Sequence, residues 1–369
     1  MKIAFFLAGL VLFISCRRPY DPGLPDKNKL LLVVEANINP GGGTTVRLTR
    51  TGKLDVNTTI QSENNAQVIV EGKDNSSRIL TFSGNGNYTT NAAFIIGNEY
   101  RLHIRTVAGK EYVSKYVKAQ KTPDIDSISW EHESRGVQVQ ANSHDPNDAT
   151  RYYRWEYVET WQYNSPYPPS LIYVNGTIRN RVYPAENVSV CWSTKPSTSI
   201  ILANSTKLEK DIISRSPLIF IPNDDEKISQ RYSVIVSQYA LSKEAYDFYE
   251  LLKKNTESIG SIFDPQPSEA TGNFSCVTDP AEQVIGFLTA STVTTKRIFI
   301  TVQEVQPWNT RYGCQDYRVR KNADSISEAI KNSLIPVDDL QPDPYYSFSQ
   351  VQCVDCTVKG GTTTKPSFW

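Results

Sequence analysis

The chain has 369 residues, 39% of them apolar and 21% charged, and 39 Lys and Arg balance 39 Asp and Glu to a formal charge of zero. That balance offers no basic field for nucleic acid, and the apolar content is enough to fill a folded core. Residues 16–369 exceed what one core usually supports, so two domains are expected.

At the N-terminus, Lys2 precedes an apolar run from Ile3 to Ile14. This run is too short to span a bilayer and reads as a secretory signal peptide over residues 1–15. Phe13-Ile14-Ser15-Cys16 then reads as a lipobox, with Phe13 where leucine is usual, and makes Cys16 the expected site of lipid attachment and palmitate incorporation. Each buried methylene contributes about 0.8 kcal/mol, so more than one acyl chain would anchor the protein stably. Residues 16–28 hold three prolines and a glycine without apolar periodicity, which suits a lipidated tether.

From Leu30 the pattern changes to short β-branched and aromatic segments: 30–38, 44–50, 67–71, 78–83, 99–106 and 111–118. Turns such as Gly41-Gly42-Gly43 and Gly84-Asn85-Gly86 separate them. Many short strands at this spacing predict an immunoglobulin-like or related β-sandwich over residues 29–122. In Tyr100, Leu102 and Ile104 against Arg101, His103 and Arg105 the alternation of period two is clean. Lys121-Thr122-Pro123-Asp124 marks a boundary, and a larger β-rich domain is expected over 123–369. Its strands are expected at 125 onward, 136–141, 151–163, 231–239, 283–290 and 297–305. One helix interrupts them near 242–256, where Leu241, Ala245, Phe248 and Leu252 form an apolar stripe behind Ser242 as N-cap. A second, shorter helix is expected near 325–332. The fold class is therefore mainly β, a sandwich followed by a larger β-rich domain with one inserted helix.

Candidate chemistry is sparse. After Cys16 there remain Cys191, Cys276, Cys314, Cys353 and Cys356, and in an exported protein disulfides are the default. Cys314 with Cys353 or Cys356 is the favoured pair, and Cys191 with Cys276 the weaker one. Cys353 and Cys356 have C-x-x-C spacing but no βαβ setting for redox work and no second ligand pair for zinc. His103, His132 and His144 share no metal-ligand spacing, and His144-Asp145-Pro146-Asn147-Asp148 reads more simply as an Asx-rich turn than as a calcium site. The common hydrolase and nucleotide motifs are absent, so neither a catalytic residue, a metal nor a cofactor is expected. The odd positions Tyr153, Trp155, Tyr157, Trp161 and Tyr163 put five rings on one face of a strand, followed by Tyr167. Trp155 and Tyr157 are read as core. Trp161, Tyr163 and Tyr167 run toward Pro166, Pro168 and Pro169 and are taken as the candidate surface for a partner or ligand.

Several segments together resemble a known family. They include Leu32 to Ile38, Tyr153 to Tyr157 with Glu159-Thr160-Trp161, Arg231 to Val236, Gly260 to Pro267, and the ending Cys353-Val354-Asp355-Cys356 with Pro366-Ser367-Phe368-Trp369. The chain is similar to domain-of-unknown-function family 4249, lipid-anchored proteins of Bacteroidetes. The resemblance implies an outer-membrane location and, by analogy, a role beside a TonB-dependent transporter or other outer-membrane complex. Arg17 and Arg18 follow the cysteine in place of the acidic residues that often mark surface export, so the sequence does not choose between the periplasmic face and the cell surface. The expected function is a noncatalytic accessory or binding subunit. The alternatives are an envelope hydrolase using carboxylates and a structural or adhesive surface module.

Overall fold

In a computed structural model the described residues are 30–52, 60–257, 270 and 272–369. The expected signal peptide, Cys16 and the tether lie outside them. The protein is mainly β, in two sandwiches followed by a small C-terminal sheet.

The first sandwich follows directly from alternation. In the strand Leu32–Ile38, Leu32, Val34, Ala36 and Ile38 are buried, while Val33, Glu35 and Asn37 face outward. The strand pairs antiparallel with Thr44–Arg50 across the glycine turn. Ser77–Gly84 pairs with Gln67–Gly72 through residues 77–80 and with Asn87–Thr90 through residues 81–84, so this strand turns the corner between layers. His103 lies on the outer face, as the alternation requires, with Nδ1 3.2 Å from Glu71.

The sheet does not stop at the boundary expected near residue 122. Val284–Ala290 pairs in parallel with Leu32–Ile38, and Phe274–Cys276 pairs antiparallel with Glu111–Ser114. Without the first of these, one side of Leu32–Ile38 would present a row of unpaired backbone groups, which a later strand satisfies. The far edge of that inserted strand is met in turn by Asn273, whose Oδ1 accepts from Leu288 N at 2.8 Å and whose Nδ2 donates to Leu288 O at 3.1 Å, and by Gln120 N, which donates to Ala290 O at 3.0 Å. The first sandwich is thus discontinuous in sequence, completed by residues that alternation alone placed in the second domain.

The second sandwich faces a three-stranded sheet, Ile125–Glu133, Gly136–His144 and Ile212–Pro222, against a sheet of Val190–Pro196, Tyr152–Asn164, Arg231–Leu241 and Val293–Thr301. Val137, Val139, Trp155, Val234, Val236 and Ile300 meet between the layers. Helix α1 (Lys243–Glu257) leaves Arg231–Leu241 at Ser242, whose Oγ accepts from Ala245 N at 3.2 Å as an N-cap should. Helix α2 (Ala323–Lys331) and the short α3 (Val351–Val354) pack with the C-terminal sheet of Tyr317–Arg320, Tyr345–Gln350 and Leu334–Asp339.

Two disulfides fasten this terminal module. Cys314 bonds to Cys353, and Cys191 bonds to Cys356, so the two thiols of the C-x-x-C spacing go to different distant partners. The expected alternative of Cys191 with Cys276 does not form, because Cys191 belongs to the core of the second sandwich and Cys276 is a free thiol in the core of the first.

Candidate functional site

The aromatic surface read from the sequence is not a surface. All five odd-numbered rings of Tyr152–Asn164 turn inward. Trp161 is 7% exposed and Tyr163 1%, and the Tyr163 hydroxyl donates to Cys356 O at 2.8 Å. Tyr167 is half-buried, with its N–H donated to Cys353 O at 3.0 Å. The prolines that suggested an exposed loop lead instead into a segment covered by the disulfide-bonded C-terminal module. Trp161 keeps its polar setting at one edge, where Lys195 and Lys227 lie 5.7 and 5.6 Å from its ring centre.

The buried carboxylates are likewise occupied by structure. Asp145 Oδ1 accepts from Asn147 N, and Oδ2 accepts from Ala149 N and Thr150 N, which makes the His144–Asp148 segment an Asx turn. Burial alone would raise this carboxyl, but the backbone donors hold it below the ordinary carboxylate range. Asp211 accepts from the Tyr153 and Ser205 hydroxyls and from Asp145 N. Glu159 accepts from Lys227 Nζ at 2.9 and 3.0 Å and from the Tyr232 hydroxyl at 2.8 Å. Among the described residues there is no group of three or more His, Cys, Asp or Glu arranged to hold a metal ion.

The site that does take shape is a cleft of about 750 Å³ between the outer faces of the two sandwiches. One wall is the outward set of the first sandwich: Val33, Glu35, Asn37, Thr45, Arg47 and Asn87. The other is the outward, even-numbered set of the second: Arg154, Glu156 and Val158, with Ser237, Tyr239 and the loop Pro196–Ile200. Helix α1 roofs it. Phe248 packs on Phe287 of the inserted strand at 5.5 Å, Tyr246 on Tyr152 at 5.1 Å, and Ile200 N donates to Glu257 at 2.7 Å, so the helix touches both sandwiches. A second cavity of about 950 Å³ lies along α1 where Lys115 and Lys118 share the lining with Glu244 and Asp247. Both volumes lie within the range typical of ligand clefts.

Arg154 stands at the floor of the smaller cleft. Its guanidinium lies 4.6 Å from the Tyr239 ring centre and 4.7 Å from that of Tyr249, and a Glu156 oxygen is 3.1 Å from Nη1. Glu156 in turn accepts from the Tyr239 hydroxyl at 2.8 Å. Burial works against the Arg154 charge, but Tyr249, Glu156, Tyr239 and Glu35 outweigh it and its pKa rises. Burial and Glu156 together push the Tyr239 hydroxyl up. Across the cleft, Glu35 and Arg47 form a loose, exposed pair at 3.9 Å.

The junction behind the cleft is knotted with hydrogen bonds. Thr122 N donates to Thr292 Oγ1 at 2.8 Å, Ala240 N donates to Thr122 Oγ1 at 3.1 Å, and Gln238 Nε2 donates to Pro123 O and Ser143 Oγ, both at 2.9 Å. Gln238 also accepts from Trp155 Nε1 at 2.9 Å, and Asn37 Nδ2 donates to Ser291 O at 3.0 Å. Three strand connections cross here, so the walls are held at a fixed spacing and little ordering is left for a ligand to impose.

These features define a mainly β, two-sandwich protein with a preformed cleft at its domain junction. The chain belongs to the family described as Domain of unknown function (DUF4249), whose profile matches residues 17–297. No curated protein matches it. Among solved structures it is similar to a two-domain fibronectin type III segment of chicken tenascin, at 10% identity over 58% of this chain and 92% of that one, with a TM-score of 0.17. It is also similar to a candidate carbohydrate binding protein from Bacteroides uniformis, at 11% identity over 58% of this chain and 91% of that one, with a TM-score of 0.16. A candidate membrane anchored protein from Corynebacterium diphtheriae matches at 13% identity and a TM-score of 0.18, over 57% of this chain and 55% of that one. At such TM-scores no whole-chain superposition is implied, and the architecture rests on the sheet topology itself.

Neither Arg154 nor Glu35 stands out in the sequence as a site residue. The signal that points to them is the unused half of the alternation: charged and polar side chains on the outward positions of strands whose inward positions are core.

Proposed function

We propose that this protein is a noncatalytic binding or accessory subunit, lipid-anchored through Cys16 at the outer membrane, that works through the cleft between its two sandwiches. The observation that supports a binding role most directly is the cleft itself, with walls fixed by the inserted strand and the hydrogen-bonded junction. The buried carboxylates in the cores are saturated by structural donors, which leaves the outward polar groups of the cleft as the accessible chemistry. The anchor and a neighbouring TonB-dependent transporter enter as parts of this reading from the lipobox and the family resemblance.

The test is isolation of the tagged chain from native membranes in mild detergent, beside Cys16→Ala. The wild type is expected to incorporate labelled palmitate, fractionate with the outer membrane and bring a stoichiometric membrane protein with it. Cys16→Ala is expected to lose the label and the fractionation. Label retained in the variant would move the anchor elsewhere, and turnover of an envelope substrate by the purified wild type would replace binding with catalysis.

A further inference from the structure

Arg154 carries an unmet requirement. Its side chain is 16% exposed, its Nε is buried without a hydrogen-bond partner among the described residues, and two tyrosine rings flank it. A guanidinium has five N–H donors and no acceptor, and leaving such donors unpaired away from water is costly. Nε itself is too buried for a ligand to reach, so acceptor oxygens at the cleft floor would meet the part of the side chain that its 16% exposure leaves open.

The charges around it limit what those oxygens belong to. Glu35 and Glu156 balance Arg47 and Arg154 within the lining, so the cleft has no net field to draw in an anion or a cation. A carboxylate or phosphate approaching Arg154 would also meet Glu156 beside it. Peptides are commonly held by adding a strand to an open sheet edge. Here the walls are mostly sheet faces, whose backbone groups are already paired within the ladders, and backbone outside the ladders enters at the loop Pro196–Ile200, so side chains supply most of what is on offer. Paired Glu and Arg on both walls, with Asn87 on the first, present donors and acceptors side by side, and Tyr239 and Tyr249 supply apolar ring surface near the floor.

We infer that the cleft binds a neutral, hydroxyl-rich ligand, a short glycan chain, with Arg154 donating to its oxygens and Glu35 and Arg47 contacting its hydroxyls from the opposite wall. This inference rests on the cleft being the binding site of the preceding reading and names the ligand class that it takes.

The experiment is calorimetric titration of the detergent-solubilised full chain with cellohexaose, maltohexaose and xylohexaose, and in parallel with hexagalacturonate and a neutral Gly-Ser hexapeptide. At least one neutral hexasaccharide is expected to bind, with Arg154→Lys weakening it tenfold or more. Glu35→Gln, an exposed substitution on the other wall that spares the core, is expected to weaken it about fivefold with an unchanged thermal midpoint. Failure of all three neutral sugars to bind, tighter binding of the acidic sugar or the peptide, or binding indifferent to both substitutions would overturn the proposal. If the sugars fail while the membrane partner is still recovered, the ligand class falls and the binding-subunit reading stands. If a sugar binds as expected and no partner is recovered, the accessory role falls and the glycan site stands.

Discussion

At the scale of single residues, the same side chain can read as surface or core until its neighbours are known. Trp161 and Tyr163 sit in a segment running toward three prolines, and the sequence alone allows them to be exposed. Both rings are buried in the core of the second sandwich, to which Cys356, far along the chain, also belongs; its carbonyl accepts from Tyr163 and its sulfur bonds to Cys191. Trp161→Ala is therefore expected to destabilise the protein by about 3–5 kcal/mol in denaturant titration, as large-to-small core substitutions do. A variant with wild-type stability would return that ring to the surface. Asp145 offers a pH-dependent counterpart. Its folded pKa lies below the unfolded value of about 3.9, so its contribution is complete above roughly pH 4 and drains away as pH falls through the folded pKa. Asp145→Asn is expected to lower the thermal midpoint at pH 7, with the gap to wild type narrowing as pH falls below about 4. Parallel curves below about pH 4 would show that the turn does not depend on the charge.

At the scale of elements, local pattern shows what each segment is and not what it joins. Period-two alternation marks Leu32–Ile38 and Tyr152–Asn164 as strands, and the stripe of Leu241, Ala245 and Phe248 behind Ser242 marks α1. Val284–Ala290 reads as a strand equally well, but its parallel partner lies at the other end of the chain, and no local signal names it. Gly286 is the one hint. Its φ is +146° and a Cβ there would strike the Val34 carbonyl, so glycine is required where the inserted strand lies beside Val34. Gly286→Ala is expected to cost more than about 2 kcal/mol, because the added methyl meets backbone in a conformation that side chains rarely adopt. The loss should appear as faster amide exchange in Leu32–Ile38 as well as in Val284–Ala290. Exchange altered only in the mutated strand would mean that the first sandwich stands without it.

For the whole molecule, the cleft was invisible for a reason that follows from this assembly. Glu35, Arg47, Arg154 and Tyr249 come from four separate segments, and each looks like an ordinary wet position on its own strand or helix. They line one cleft only because Val284–Ala290 ties the sandwiches together and α1 closes the top. The central claim is that this junction is where the protein meets what it binds. Photo-crosslinking in intact cells tests it directly, with a benzophenone amino acid at Thr198 in the cleft lining and, separately, at Ile79, which is 65% exposed on the first sandwich and outside the cleft. Adducts are expected from Thr198 and not from Ile79. Adducts from Ile79 with none from Thr198 would contradict the account and move the binding surface away from the junction.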